Sequence, residues 1–114
     1  MEEQSYTQNS CAKVYKMNVD GTYTSFVNVT ENLPLGANIV AIDVLRLRTY
    51  PYEEYDDFYV NETLHDFHWV NCFVEISDNR KEFRLRFRNQ DNSADYNLSQ
   101  NVSHIYVAVN IHYR

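Results

Sequence analysis

The sequence predicts an all-β domain, a seven-stranded Greek-key antiparallel β-sandwich with an extra N-terminal hairpin. Three observations predict it. Apolar residues recur with a period of two, most clearly at Phe83, Leu85 and Phe87 and again at Ile105, Val107, Val109 and Ile111. No stretch carries apolar residues at helical spacing. Turn residues punctuate the chain at intervals of roughly 8 to 15 residues, close to the rhythm of sandwich strands.

The chain has 114 residues, the length of one domain, and its 44% hydrophobic content with 15% aromatics excludes a disordered class. No apolar run approaches the roughly 20 residues of a membrane helix, so the piece is expected to be soluble. The start, Met1-Glu2-Glu3-Gln4, is polar and acidic, unlike a signal peptide; a secreted form is expected to have lost its signal. A net charge of −6 argues against nucleic acid and anionic membranes as partners and is compatible with divalent cations.

Taken in order, residues 1–10 are polar. Val14–Val19 and Thr22–Phe26 flank Asp20-Gly21, a pair suited to a type I′ hairpin turn. Residues 1–22 are therefore expected to form an extension stapled to a core of residues 23–114. Val27 and Val29 alternate with polar neighbours, Asn32–Gly36 supplies a corner, and Ile39–Ile42 resumes an apolar strand. Glu31 falls where the first of these strands ends, which predicts a carboxylate presented at the tip of the fold. Ile39–Arg48 alternates imperfectly and reads as a strand reaching a sheet edge.

Tyr50–Tyr59 interleaves acids with aromatic rings. Tyr52, Tyr55 and Phe58, with Trp69 further on, are candidate partner contacts, because Tyr and Trp give large contact area at low entropic cost. The alternative is a solvated loop whose rings pack on their own domain. Phe67–Ile76 reads as a long strand with Val70, Cys72, Val74 and Ile76 facing inward. Arg84, Arg86 and Arg88 share the outer face of the next strand. They suit an anion such as a sulfated glycan, or, alternatively, a solvent face balancing nearby acids. A polar loop follows, then the closing strand.

Compartment is read from sequons. Four N-x-S/T triplets occur, at Asn28, Asn61, Asn97 and Asn101, where the chain's composition gives roughly one or two by chance. The excess favours a glycosylated extracellular protein; an Asn-rich chain collecting sequons by accident is the alternative. The two cysteines, Cys11 and Cys72, suit one disulfide in such a compartment, worth about 3 to 4 kcal/mol by chain entropy, with two buried thiols as the alternative. No C-x-x-C or Cys/His cluster points to redox chemistry or zinc. The four histidines are scattered, no nucleophile elbow is present, and the two glycines cannot build a phosphate loop. The chain is expected not to be an enzyme.

The run Val29-Thr30-Glu31-Asn32-Leu33-Pro34-Leu35-Gly36-Ala37-Asn38-Ile39-Val40 resembles the V-x-E-N-x-P-x-G-T-x-V that opens a cadherin extracellular repeat. Phe83–Asp91 is similar to the Y-x-L-x-V-x-A-x-D of that repeat's late strand, and Asn101–Ile111 falls where its last strand belongs. The resemblance spans about residues 23 to 114 and implies a membrane-distal repeat of a nonclassical, protocadherin-like cell-surface protein. Its partner would be another cadherin-type ectodomain, homophilic or heterophilic, with the membrane reached only through a segment outside this piece.

It implies calcium as the cofactor, with Glu31 a ligand. The L-D-R-E motif aligns on Glu75-Ile76-Ser77-Asp78, which leaves Asp78 as a shortened second ligand and Ile76 where an Asp belongs. The D-x-N-D-N linker is not matched by Asn110–Arg114. Calcium takes six to eight oxygen ligands, so two carboxylates imply a weak or incomplete site, with affinity on the order of millimolar. The only Trp is Trp69, so exchange of an N-terminal Trp-bearing strand is not expected. Two rival readings remain at this point. One is an extracellular β-sandwich binding a carbohydrate or a receptor ligand, and the other a non-secreted protein with accidental sequons.

Overall fold

The computed structural model describes residues 9–51, 59–60, 69–100 and 102–114. Its strands are β1 (Asn9–Asp20), β2 (Tyr23–Thr24), β3 (Val27–Asn28), β4 (Ile39–Pro51), β5 (Tyr59–Val60), β6 (Trp69–Ile76), β7 (Glu82–Arg88) and β8 (Val102–Tyr113). Among the described residues two 3₁₀ turns, Thr30–Asn32 and Leu98–Gln100, interrupt the β structure. Hydrogen bonds join the strands in the order β4-β8-β1-β2-β7-β6-β5, with β3 also on β7. Among the described residues every strand pairing is antiparallel except that of β5 with β6.

β1 connects two ladders. Its residues Asn9–Asn18 pair with β8, which also carries β4, while Val19 and Asp20 pair with β2 and so lead to β7 and β6. Met17 and Val19 are buried in the same core as residues from the rest of the chain. The first strand thus contributes Met17 and Val19 to the same core and pairs along its length with β8. The hairpin itself is present. Its register, Val19 opposite Thr24 and Asp20 opposite Tyr23, makes Gly21 and Thr22 the loop residues, one position later than expected. Gly21 sits at φ +69°, a left-handed conformation that glycine takes without a Cβ penalty.

The period-two runs fold as the sequence predicts. Phe83, Leu85 and Phe87 are fully buried, as are Ile105, Val107, Val109 and Ile111. Burial of each such side chain is worth about 1.5 to 3 kcal/mol. On β6, Val70 is buried and Cys72, Val74 and Ile76 pack against the core, whereas Phe73 faces solvent. Both ladders feed one cluster: Met17, Ile39, Leu47 and the β8 residues meet Phe83, Leu85 and Phe87 there. The Tyr15 ring stands edge-on to Phe83 at 5.8 Å, joining β1 to β7 although the two strands are not sheet neighbours.

The uneven alternation of β4 has a local cause. Register shifts fall between Ile39 and Ala41 and between Val44 and Arg46, so an extra residue at each place turns the following side chains to the other face. Leu45 is therefore exposed while Leu47 is buried. β4 is the edge strand of its ladder, and such bulges are a common way of blunting an edge.

Candidate functional site

One end of the molecule gathers the residues singled out for cation binding. The backbone assembles it: Val29 N–H donates to the Lys81 carbonyl at 3.0 Å, and Ile39 N–H to the Arg80 carbonyl at 2.9 Å. Asn38 and Arg114 exchange two backbone bonds of 2.9 and 3.1 Å, extending the β4–β8 ladder to the last residue. The Thr30–Asn32 turn, the Pro34–Ala37 turn, the β6–β7 turn and the end of β8 therefore converge.

Each turn has a sequence reason. Asn28 Oδ1 accepts from Thr30 N–H at 2.9 Å and from the Thr30 hydroxyl at 2.6 Å, which starts the 3₁₀ turn. Pro34 and Gly36 bend the chain, Gly36 at φ +84°, and Leu33 and Ala37 anchor both sides of the bend in the core. In the β6–β7 turn, Asn79 Oδ1 accepts from the Ser77 hydroxyl at 2.6 Å and from Lys81 N–H at 3.0 Å. Ser77 Oγ accepts in turn from Glu82 N–H at 3.0 Å.

Glu31 and Asp78 are both exposed and both lie in turns at this end. The fold brings the two predicted ligands to the same pole, but among the described residues no three His, Cys, Asp or Glu side chains come together as a metal site. Two carboxylates fall well short of the six to eight oxygens calcium takes. The same end carries cations as well. Lys81 Nζ donates to the Ala37 carbonyl at 2.7 Å, Arg80 Nη1 to the Ile39 carbonyl at 3.0 Å, and Arg114 lies beside them.

The Cys11–Cys72 bridge expected from the sequence is not formed; the two cysteines are separate, half-buried thiols. The reason is the topology. Cys11 Sγ donates to the Asn32 carbonyl at 3.7 Å, at the end just described. Cys72 pairs with Phe87, whose N–H donates to the Thr22 carbonyl in the hairpin loop at the opposite end. The run of β7 from Phe87 back to Glu82 alone covers roughly 16 Å at ~3.3 Å per residue. A disulfide requires Cα atoms within about 7 Å.

Tyr15 reaches the same turn as Cys11, donating from its hydroxyl to Asn32 Oδ1 at 2.6 Å. Burial, with a smaller contribution from the Cys11 thiol, pushes its phenol up to about 12.

The arginines of β7 are engaged with acids. Arg84 meets Glu75 at 2.9 Å; Arg86 meets Asp95 at 3.2 Å and Glu75 at 3.7 Å; Arg88 meets Asp95 at 3.1 Å. The Arg84 guanidinium also lies 3.9 Å from the Tyr23 ring centroid and 4.7 Å from that of Phe26. This bears out the solvent face that balances nearby acids. In the loop that follows β7, Ser93 holds the Asp91 carboxyl below the usual range by hydrogen bonding.

Two of the four sequons lie wholly among the described residues. Asn28 and Asn97 are exposed, and in each the hydroxyl two positions on donates to Oδ1, from Thr30 and from Ser99, both at 2.6 Å. Asn61 and Asn101 lie outside the described residues, as do Tyr52, Tyr55 and Phe58; of Trp69 only the backbone is described.

Sequence reasoning missed a cleft of about 230 Å³ lined by Asn38, Ile39, Val40, Arg80 and Arg114. Its polar members are far apart in the chain and meet only in the fold, so no local motif could announce it. Leu98 was missed too. It is fully buried from within a polar loop, and Tyr96 of the same loop packs against the core. No family model, curated protein or solved structure matches this chain.

Proposed function

We propose that this chain is an N-glycosylated extracellular module of cadherin-repeat type, acting in cell adhesion through protein contacts rather than catalysis. The observation that carries the reading is the state of the two described sequons. Asn28 and Asn97 stand at the surface with Oδ1 held by the +2 hydroxyl. Their exposed position leaves both asparagines accessible to glycan transfer. The gathering of Glu31, Asp78 and the end of β8 at one pole supports an end-to-end junction with a following module.

The finer architecture belongs to the same reading. A two-layer Greek-key sandwich is supported by the single core drawn from both ladders and by the Tyr15–Phe83 contact between them. Calcium enters in a limited form. Glu31 and Asp78 supply too few oxygens for a site, so any calcium linkage depends on carboxylates of an adjoining module. A calorimetric titration of this chain alone is expected to show no submillimolar calcium binding.

Adhesion is tested by coating beads with the glycosylated chain and scoring aggregation with and without calcium. Aggregation, or co-aggregation with beads bearing a second ectodomain, supports the reading. Inert beads in both conditions, against a set of cadherin-type ectodomains, count against it.

A second reading, a non-secreted β protein with incidental sequons, is favoured by one observation. Cys11 and Cys72 are thiols too far apart to bridge, which suits a reducing compartment. Glycan analysis separates the two readings.

A further inference from the structure

The cleft at the Arg80 end is lined by two arginines, and among the described residues neither is ion-paired with an Asp or Glu side chain; the one carboxylate of the lining is the α-carboxylate of Arg114 itself. Arg84, Arg86 and Arg88 contrast with them, each lying within 4 Å of Glu75 or Asp95. Two cationic side chains lining one recess favour a bound anion, most strongly when the α-carboxylate of Arg114 is blocked.

We propose that this cleft is an oxyanion site, taking a sulfate or phosphate group between Arg80 and Arg114 with the Asn38 side-chain amide as an added donor. A guanidinium presents several N–H donors in a fixed plane, which matches two oxygens of one tetrahedral anion. The recess is about 230 Å³, large enough for the anion and some of its water.

The frame around it is held in place. Arg80 Nη1 donates to the Ile39 carbonyl at 3.0 Å, which orients the guanidinium and leaves its other N–H groups available. The backbone of Arg80 is fixed on both sides, its N–H to the Ser77 carbonyl and its carbonyl to Ile39 N–H, both at 2.9 Å. It holds φ +61°, a left-handed conformation uncommon outside glycine. Asn38 and Arg114 are locked together by their two backbone bonds. With a net charge of −6 on the chain, and Glu31 and Asp78 exposed at the same end, the affinity is modest and falls with ionic strength.

The test is a titration of the ¹⁵N-labelled chain, with a free and with an amidated C-terminus, following backbone and arginine Nε–H resonances. The probes are sodium sulfate, sodium phosphate and methyl sulfate, each replacing chloride at constant ionic strength. Saturable shifts confined to Asn38, Ile39, Arg80 and Arg114 are expected, tighter in the amidated chain. Arg114→Gln, whose side chain is exposed, is expected to weaken binding about tenfold, a loss of ~1.4 kcal/mol. Arg84→Gln is expected to leave it unchanged. Should Arg80→Gln disturb the turn, Arg80→Lys keeps the charge without the planar fork and is expected to bind more weakly than the parent. Saturation by methyl sulfate as well as by sulfate assigns the site to an ester on a larger partner; saturation by the inorganic ions alone assigns it to a free anion. Shifts that do not saturate, that chloride reproduces, or that survive Arg114→Gln overturn the proposal.

Discussion

Tyr15 is held by three different interactions. Its ring meets Phe83, its hydroxyl donates to Asn32 Oδ1, and burial keeps its proton on. Its pKa is raised from 10.0 to about 12, so the folded chain keeps a proton that the unfolded chain releases near pH 10. The stability this confers is present below pH 10 and is lost as pH rises from 10 towards 12. Absorbance titration of the tyrosinates should resolve one late component, absent in Tyr15→Phe; a single transition near pH 10 would argue against this contact. Thr24 gives a second test at this scale. Its buried hydroxyl accepts from Leu85 N–H at 2.9 Å and donates to the Ser25 carbonyl at 3.0 Å, continuing a ladder where β2 is only two residues long. Thr24→Val keeps the shape but strands the Leu85 N–H, and chemical denaturation should show a loss of about 1 to 3 kcal/mol. Neither residue could be singled out from sequence, because a hydroxyl's partner depends on which strand the fold sets beside it.

Among the elements, β7 and β8 were the most legible, since each buries an unbroken period-two run of apolar residues on one face. β4 was harder to read because its two bulges break the alternation that sequence patterning relies on. The Asp20-Gly21 signal found the hairpin but not its register. With Gly21 at φ +69° as the first loop residue, Gly21→Ala should cost about 1 kcal/mol in thermal or denaturant unfolding. The arginine face of β7 predicts little by comparison. Its ion pairs are partly exposed, so Arg86→Gln should change stability little and should matter less still in high salt. Phe83→Ala on the opposite face should cost about 3 to 5 kcal/mol. Equal losses for the two variants would contradict this division between the faces.

At the scale of the molecule, the β class was legible because period-two patterning reports burial directly. The arrangement of strands was not. Pairing of the first strand with the last brings residues some hundred positions apart into register, Asn9 opposite Tyr113, and no local signal encodes that. The same long-range pairing explains the disulfide. An even cysteine count suggested a bridge, but β1 carries Cys11 to one end while β6 leaves Cys72 at the other. Thiol titration in denaturant without reductant should therefore find two thiols per chain; none would mean that the chain bridges after all and that β1 or β6 lies elsewhere. Of the candidate site, the position of Glu31 at the tip of the fold was legible from turn signals, whereas Asp78 was named only by resemblance. The cations beside them, drawn from positions 80, 81 and 114, were not.

The proposed route through the secretory pathway accounts for the sequon excess and sets the compartment in which any adhesive contact would form. Its most direct test is the intact mass of the protein from its own source, before and after enzymatic removal of N-glycans. A mass drop is expected, with Asn28 and Asn97 converted to aspartate at the released sites. An unchanged mass with both asparagines intact would contradict it and leave the non-secreted reading in its place.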